Sequence, residues 1–289
     1  MLNQDNLNEL ITQALAMEEV EAKEAGALGY MARVLVQATM PHSDPHTCSF
    51  KRTNGKLSLA ITGHPDIGLP YGVYPRLLLA WLVTEAVCTK SPTLVLGSSL
   101  NQFMSHLDLI PTGGRWGTIT RLKDQMRRLF SAAILCYYDS EGVANGIGFN
   151  IAKEYHLWWS AKDPRQTTLW ESTVVLGQDF FNEITERPIP VDIRAIKALK
   201  TSSMALDLYC WLTYRLSYLK RKTEIPWCLL QNQFGSDYAS TKQGRYEFKR
   251  KLLVQLKKVL TVYTEAAMVD EGENGLILIQ SPSHIKRIK

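Results

Sequence analysis

Two clusters of cations carry the chemistry most visible in this sequence. Arg115, Arg121, Lys123, Arg127 and Arg128 crowd residues 115–128 against Asp124 alone. Lys242, Arg245, Lys249, Arg250, Lys251, Lys257 and Lys258 crowd residues 242–258 against Glu247 alone. Guanidinium and ammonium groups at this density neutralise phosphates, and the hydrogen-bonding side chains among them, Thr120, Gln243, Arg245 and Lys249, are of the types that read base edges. The windows carry net charges of +4 and +6, whereas the whole chain of 289 residues carries only +5. Everything else is therefore net acidic. Residues 1–25 account for all of that excess, with Asp5, Glu9, Glu18, Glu19, Glu21 and Glu24 against Lys23.

Other chemistry is thin. His42, His46 and Cys48 in PHSDPHTCS offer three metal ligands, but no fourth ligand has a recognisable spacing, so a Pro-rich loop is expected and no metal. No G-x-x-x-x-G-K-[ST] phosphate loop occurs, which argues against strand opening by the chain's own ATP hydrolysis, and no HxH pair is present. Gly146-Ile147-Gly148 sits in an expected hairpin and is no dinucleotide fingerprint, while Asp139-Ser140-Glu141 reads as an exposed turn. The five cysteines at 48, 88, 136, 210 and 228 are odd in number and lack CxxC spacing. They are expected to be reduced thiols filling core gaps. No cofactor is expected, and no enzyme. The longest apolar stretch, Leu77 to Val83, is far shorter than the roughly 20 residues of a membrane span, and the N-terminus lacks a signal-peptide profile, so a cytoplasmic protein is expected.

The cations must be held by elements, and those elements occur twice. An offset of 130 residues aligns Leu78 with Leu208, Trp81 with Trp211, Leu82 with Leu212, Leu100 with Leu230, Leu122 with Leu252, Met126 with Leu256 and Ile147 with Ile277. It also lays Arg121 on Lys251, Arg127 on Lys257 and Arg128 on Lys258; an offset of 129 lays Asn145-Gly146 on Asn274-Gly275. A period this long means duplicated domains rather than a solenoid.

Each copy starts with a long apolar helix, Tyr74 to Thr89 or Met204 to Leu219, apolar all round and hence buried on several sides. A short extended segment follows, Thr93 to Leu96 or Glu224 to Pro226, then a helix at Ser98 to Leu107 or Trp227 to Phe234, the first capped by the Ser98-Ser99 pair. A polar, Gly-rich turn leads into the basic helix. There Ile119, Leu122, Met126 and Leu129, or Phe248, Leu252, Leu256 and Val259, form one inward stripe with the bases around it. Two alternating runs close each copy: Ala133 to Tyr138 with Gly146 to Asn150, and Val262 to Val269 with Gly275 to Gln280. Asn-Gly between them predicts a type I′ turn.

That order is the order of a winged helix, so the expected fold is α+β, two tandem winged-helix domains related by internal duplication. The expected divisions are an acidic helical arm over 1–48, a first domain over 49–168 and a second over 169–289. In the arm, Leu7, Leu10, Ile11, Ala14 and Leu15 predict an amphipathic helix docked on its own domain. In such domains the basic helix enters the major groove and the hairpin wing touches backbone or minor groove. The expected DNA-binding residues are Arg115, Thr120, Arg121, Lys123, Arg127 and Arg128 in the first copy, and Lys242, Gln243, Arg245, Tyr246, Lys249, Arg250, Lys251 and Lys257 in the second. Six to ten phosphate contacts predict a log K against log salt slope of roughly −5 to −9.

The stretches GLPYGVYPRLLLAWLVTEAV at 68–87, LWWS at 157–160, LWESTVVL at 169–176 and PIPVDIRAIKALKTSSMALDLYCWLTYRLSYL at 188–219 resemble the plasmid-encoded RepA/TrfA-like replication initiator family, from about Phe50 to the C-terminus. The resemblance implies two winged-helix domains that bind direct repeats in double-stranded DNA at a plasmid origin, open an AT-rich element and recruit host helicase, initiator and chaperone proteins. It also implies monomers on the repeats and a homodimer that represses the protein's own promoter. Many motif residues, among them Tyr74, Trp81, Leu208, Trp211 and Leu212, are expected in the core. A transcriptional repressor without initiator activity would need the same charged helices, so the residues alone leave those two functions open. The missing nucleotide and metal motifs weigh against an enzyme that uses the same folds only to position a substrate.

Overall fold

The computed structural model describes residues 4–140, 143–159, 171–235, 238–266 and 269–285. In chain order its elements are α1 (Gln4–Glu19), β1 (Leu28–Met31), α2 (Arg33–Gln37), β2 (Ser49–Asn54), β3 (Leu57–Thr62), α3 (Tyr74–Thr89), β4 (Thr93–Gly97) and α4 (Leu100–His106). Next come α5 (Thr118–Phe130), β5 (Ala133–Ser140), β6 (Val143–Asn150), β7 (Ala152–His156), β8 (Ser172–Leu176), α6 (Gln178–Glu186), β9 (Ile189–Asp192) and α7 (Ile193–Ala198). The chain ends with α8 (Ser203–Leu216), β10 (Thr223–Pro226), α9 (Trp227–Phe234), α10 (Lys242–Val262), a 3-10 turn (Thr264–Ala266), β11 (Asp270–Glu271) and β12 (Gly275–Leu278). They gather into a central unit, 40–51 with 56–188, and a terminal unit, 1–39 with 52–55 and 189–289.

These units are cut differently from the divisions expected after residues 48 and 168, the second of which lies outside the described residues. The N-terminal arm groups with the C-terminal residues. β1 pairs antiparallel with β9, Leu28 opposite Asp192, and α1 packs on α7 and α10 through Leu10, Ala14 and Met17. Ile11 and Leu15, expected on the docked face, are exposed. Arg194 fastens the junction: its guanidinium holds the buried Asp192 carboxylate at 2.7 Å and donates to the Val20 carbonyl at 2.9 Å. Charge-assisted bonds of this kind are stronger than neutral ones, and here they tie a short strand and a helix end to one point.

In the central unit α3 is buried along most of its length, with Leu77, Leu78, Leu79, Leu82, Val83 and Ala86 inside. Pro75 sits in its first turn, where no backbone donor is lost, and Lys90 closes it in the left-handed region at φ 55°. Ser99 caps α4 by accepting from the Gln102 amide at 3.2 Å. α5 lays Ile119, Leu122, Met126 and Leu129 against α3. The terminal unit repeats the order: α8, capped by Ser202 and buried through Leu208, Trp211 and Leu212, then β10, α9 and α10. Tyr74 and Trp81 are only half-buried.

Strand pairing corrects the expected wing. In the terminal unit β10 pairs with β12, which pairs with β11; in the central unit β4 pairs with β8, which pairs with β7. Both sheets thus run first strand, third strand, second strand, and the hairpin that completes the central sheet is β7 with β8. β5 and β6 instead join β3, with β2 at the far edge. Alternation marks an antiparallel strand without naming its partner. Asn145 and Gly146 lie inside β6 opposite Tyr138 and Tyr137 rather than in a turn, while residues 141 and 142, including Glu141 of the expected turn, lie outside the described residues. In the second copy α10 reaches Val262, the expected first residue of a strand, a 3-10 turn follows at Thr264–Ala266, and Gly272 donates to the Gly275 carbonyl at 2.8 Å to form the turn.

All five cysteines are free thiols. Cys136 and Cys210 are buried, and burial pushes the Cys136 thiol up to about 12, while Cys48, Cys88 and Cys228 are exposed, contrary to the expectation that all fill core gaps. Among the described residues no helix is long and apolar enough to cross a membrane, and no three His, Cys, Asp or Glu side chains cluster as metal ligands.

Candidate nucleic-acid interface

The cations of α5 fall into two groups. Arg115, Thr120, Arg121 and Arg127 are exposed. Arg121 lies over the Tyr74 ring at 5.5 Å, which orients the guanidinium and leaves it at the surface. Arg128 is different: its Nε donates to Asp124 at 2.8 Å, Asp44 approaches at 3.7 Å, one NH group donates to the Leu69 carbonyl at 3.3 Å and the Tyr71 ring lies beneath at 5.3 Å. Lys123 donates to the Trp159 carbonyl at 3.2 Å, and burial lowers its pKa. These two side chains bind α5 to the rest of the central unit.

This partition sets a prediction. Arg127→Ala should make the salt slope of DNA binding shallower by about 0.9 while leaving the melting temperature unchanged. Arg128→Ala should instead lower stability by about 1–3 kcal/mol, because Asp124 and Asp44 lose their common partner, and any change of slope should follow from the fold. Salt titrations beside thermal melts separate the two.

On α10 the exposed stripe is Lys242, Gln243, Tyr246, Arg250 and Lys257, with Arg245 and Lys251 on its flanks. Thr241 caps the helix by accepting from the Gly244 amide at 3.1 Å. Gln243 donates to Glu247 at 2.8 Å and Arg245 to the Ser240 carbonyl at 3.1 Å, so both are held near the N-terminal turn. Lys249 alone turns toward the hairpin, reaching Glu271 of β11 at 2.8 Å and lying 4.6 Å over the Trp227 ring. A pair this exposed is worth no more than about 1 kcal/mol, so a phosphate can displace the carboxylate. Glu271→Gln is expected to tighten duplex binding about threefold and to steepen the salt slope by up to about 0.9, measured by anisotropy titration.

Arg121, Arg127, Arg250 and Lys257 are all exposed, and each sits on the basic helix that ends a helix-strand-helix-helix order, α3-β4-α4-α5 or α8-β10-α9-α10, ahead of the hairpin that completes the three-stranded sheet β4-β8-β7 or β10-β12-β11. The sequence model for the plasmid-encoded RepA protein matches residues 69–227, more than half of the chain. The chain belongs to the plasmid-encoded RepA protein family. Membership supports a replication initiator role. No curated protein matches the sequence. In three dimensions the chain is similar to domains 2 and 3 of RctB: a selenomethionine crystal structure gives a TM-score of 0.53 at 10% identity, over 86% of this chain and 98% of that one. A second RctB structure gives 0.50 at 14% identity, over 84% of each chain. Identity this low shows a shared fold and nothing about ligands.

The RepA motif residues have structural work. In LPYGVYPR, Gly72 takes φ 77° and Arg76, 3% exposed, donates to the Gly72 carbonyl at 2.6 Å, Met40 at 2.8 Å and Pro41 at 3.1 Å. Trp159 of LWWS is buried and donates to the Gly97 carbonyl at 3.1 Å. Charge density does not single out Trp116, which stands 76% exposed beside Arg115, its indole 5.1 Å from that guanidinium. A tryptophan between Arg and Gly in a Gly-rich turn is the signal that the sequence offers for it.

Proposed function

We propose that this RepA-family protein initiates plasmid replication by binding double-stranded DNA carrying direct (iteron-like) repeats at the origin, with α5 and α10 as the recognition helices of two winged-helix domains. The observation that carries the reading is the twofold recurrence of helix, strand, helix, basic helix and hairpin with the same strand order, β4-β8-β7 and β10-β12-β11. Arg115, Arg121 and Arg127 on one side and Lys242, Arg245, Arg250, Lys251 and Lys257 on the other neutralise phosphates; Thr120, Gln243 and Tyr246 lie where base edges are read. Two reading helices in one polypeptide let a monomer bind an asymmetric repeat, where a single helix commonly needs a symmetric dimer and a palindrome. Bound copies then promote opening of the origin and recruit host helicase, initiator and chaperone proteins, work that needs no catalysis by this chain. A homodimer represses the promoter of its own gene.

The test is genetic. A plasmid carrying the gene and its neighbouring repeats should fail to replicate when the gene is disrupted and recover when it is supplied in trans. Loss of promoter repression with replication intact would make the protein a repressor instead.

A further inference from the structure

An indole carries about 150–250 Å² of mostly apolar surface, and a flexible loop normally folds such a group onto the nearest core. Trp116 stays in solvent because its turn is braced. Thr112 and Thr118 exchange amide-to-hydroxyl bonds at 2.9 Å in both directions, and the Thr118 hydroxyl also donates to the Ile110 carbonyl at 2.7 Å. Thr120 donates to the Gly114 carbonyl at 2.9 Å, and the Gly117 amide to the same carbonyl at 3.1 Å. Gly114 takes φ 86°, and a Cβ on Gly117 would collide with the carbonyl oxygens of Thr112 and Gly113, so both positions require glycine. Ile110, 79% exposed, stands on the same turn. Two apolar side chains thus stand outward at the entrance to α5, with exposed Arg115 against the indole and exposed Arg121 in the helix's first turn.

We propose that Trp116 is a specificity residue that reads thymine, its ring edge packing on the C5-methyl group in the major groove. The inference rests on the proposed placement of α5 on duplex DNA. The methyl of thymine is the apolar feature of the major groove, and apolar side chains at the start of a recognition helix are placed to meet it. The exposed cations at this end of α5, Arg115 against the indole and Arg121 in the first turn, favour DNA over an apolar protein partner, since both would remain unpaired under an apolar protein surface. The Arg115 guanidinium over the indole both orients the ring and sets a positive charge beside the adjoining phosphate.

The test uses the full chain and an origin duplex footprinted by the wild-type protein, prepared with thymine or with uracil, which pairs identically and lacks the methyl. Wild-type affinity should fall about fourfold for each methyl group that the indole covers, the ratio for burying one methylene-sized group. Trp116→Ala should bind more weakly and no longer distinguish the two duplexes, with an unchanged melting temperature because the side chain packs on little; Trp116→Phe should restore part of the discrimination. Equal binding of both duplexes by the wild type, or full affinity with full discrimination in Trp116→Ala, overturns the assignment. The control Arg121→Glu with Arg127→Glu separates the two levels. If it leaves duplex binding intact, α5 is not on DNA and the underlying reading fails; if it weakens binding while Trp116→Ala changes nothing, only the thymine assignment falls.

Discussion

Arg250→Glu combined with Lys257→Glu should weaken binding to the origin duplex on the order of a hundredfold or more at physiological salt, with no change in thermal stability. Both side chains are exposed on the outward stripe of α10, and neither joins an ion pair among the described residues. Their replacement therefore costs the fold little, within about 0.5 kcal/mol. The binding cost is large because each reversal removes a phosphate contact and sets a carboxylate against the same polyanion. Fewer counterions are released, so the salt slope should also become shallower by about two units. Reversing Lys249 in place of Arg250 should cost less, since Glu271 already shares its charge and the Trp227 ring lies beneath it. Anisotropy titrations at several salt concentrations, with melts of each variant, check all three statements.

The largest expected stability effect lies away from the charged helices. Arg76→Leu should destabilise the central unit by about 3 kcal/mol or more, because the buried carbonyl oxygens of Met40 and Pro41 and the part-buried one of Gly72 lose a charged donor that the leucine cannot replace. A change of that size lowers the melting temperature by on the order of 10 °C in a domain of this length. Arg76→Lys should recover only part of the loss, since an ammonium group lacks the planar fork that reaches carbonyls on two separate segments. Calorimetry of the three proteins measures it. DNA affinity per folded molecule should be unchanged, which distinguishes a clamp residue from a reader.

The helices are largely legible in the sequence because their cause is local. The stripe Ile119, Leu122, Met126, Leu129 and its counterpart Phe248, Leu252, Leu256, Val259 recur at helical spacing, and α3 and α9 fall where the apolar runs and turns place them. The three-stranded sheet of the central unit is not legible, because β4 finds its partner β8 almost eighty residues later, across an inserted hairpin whose own alternation is a stronger local signal. Offset matching by 130 residues is sound through the basic helices and misleads beyond them, where Ile147 sits in that inserted hairpin and Ile277 in the closing sheet. For the candidate site, charge density marks two helices with exposed cations but not the surroundings of each cation. Arg127 and Arg128 are adjacent in sequence, yet one is exposed and the other is spent on Asp124, Asp44, Leu69 and Tyr71, partners drawn from three segments. Trp116 is hidden for the opposite reason: a lone aromatic suggests burial, and only the Thr112–Thr118 brace shows what keeps it out.

Hydroxyl-radical footprinting of the origin fragment tests most directly whether both basic helices engage DNA, comparing the wild type with Arg121→Glu/Arg127→Glu and Arg250→Glu/Lys257→Glu at saturating protein. Two reading helices in one chain predict that each variant loses protection over a different part of the repeat and keeps it over the other. A footprint unchanged by either pair of substitutions would take that helix off the DNA and contradict the twofold reading.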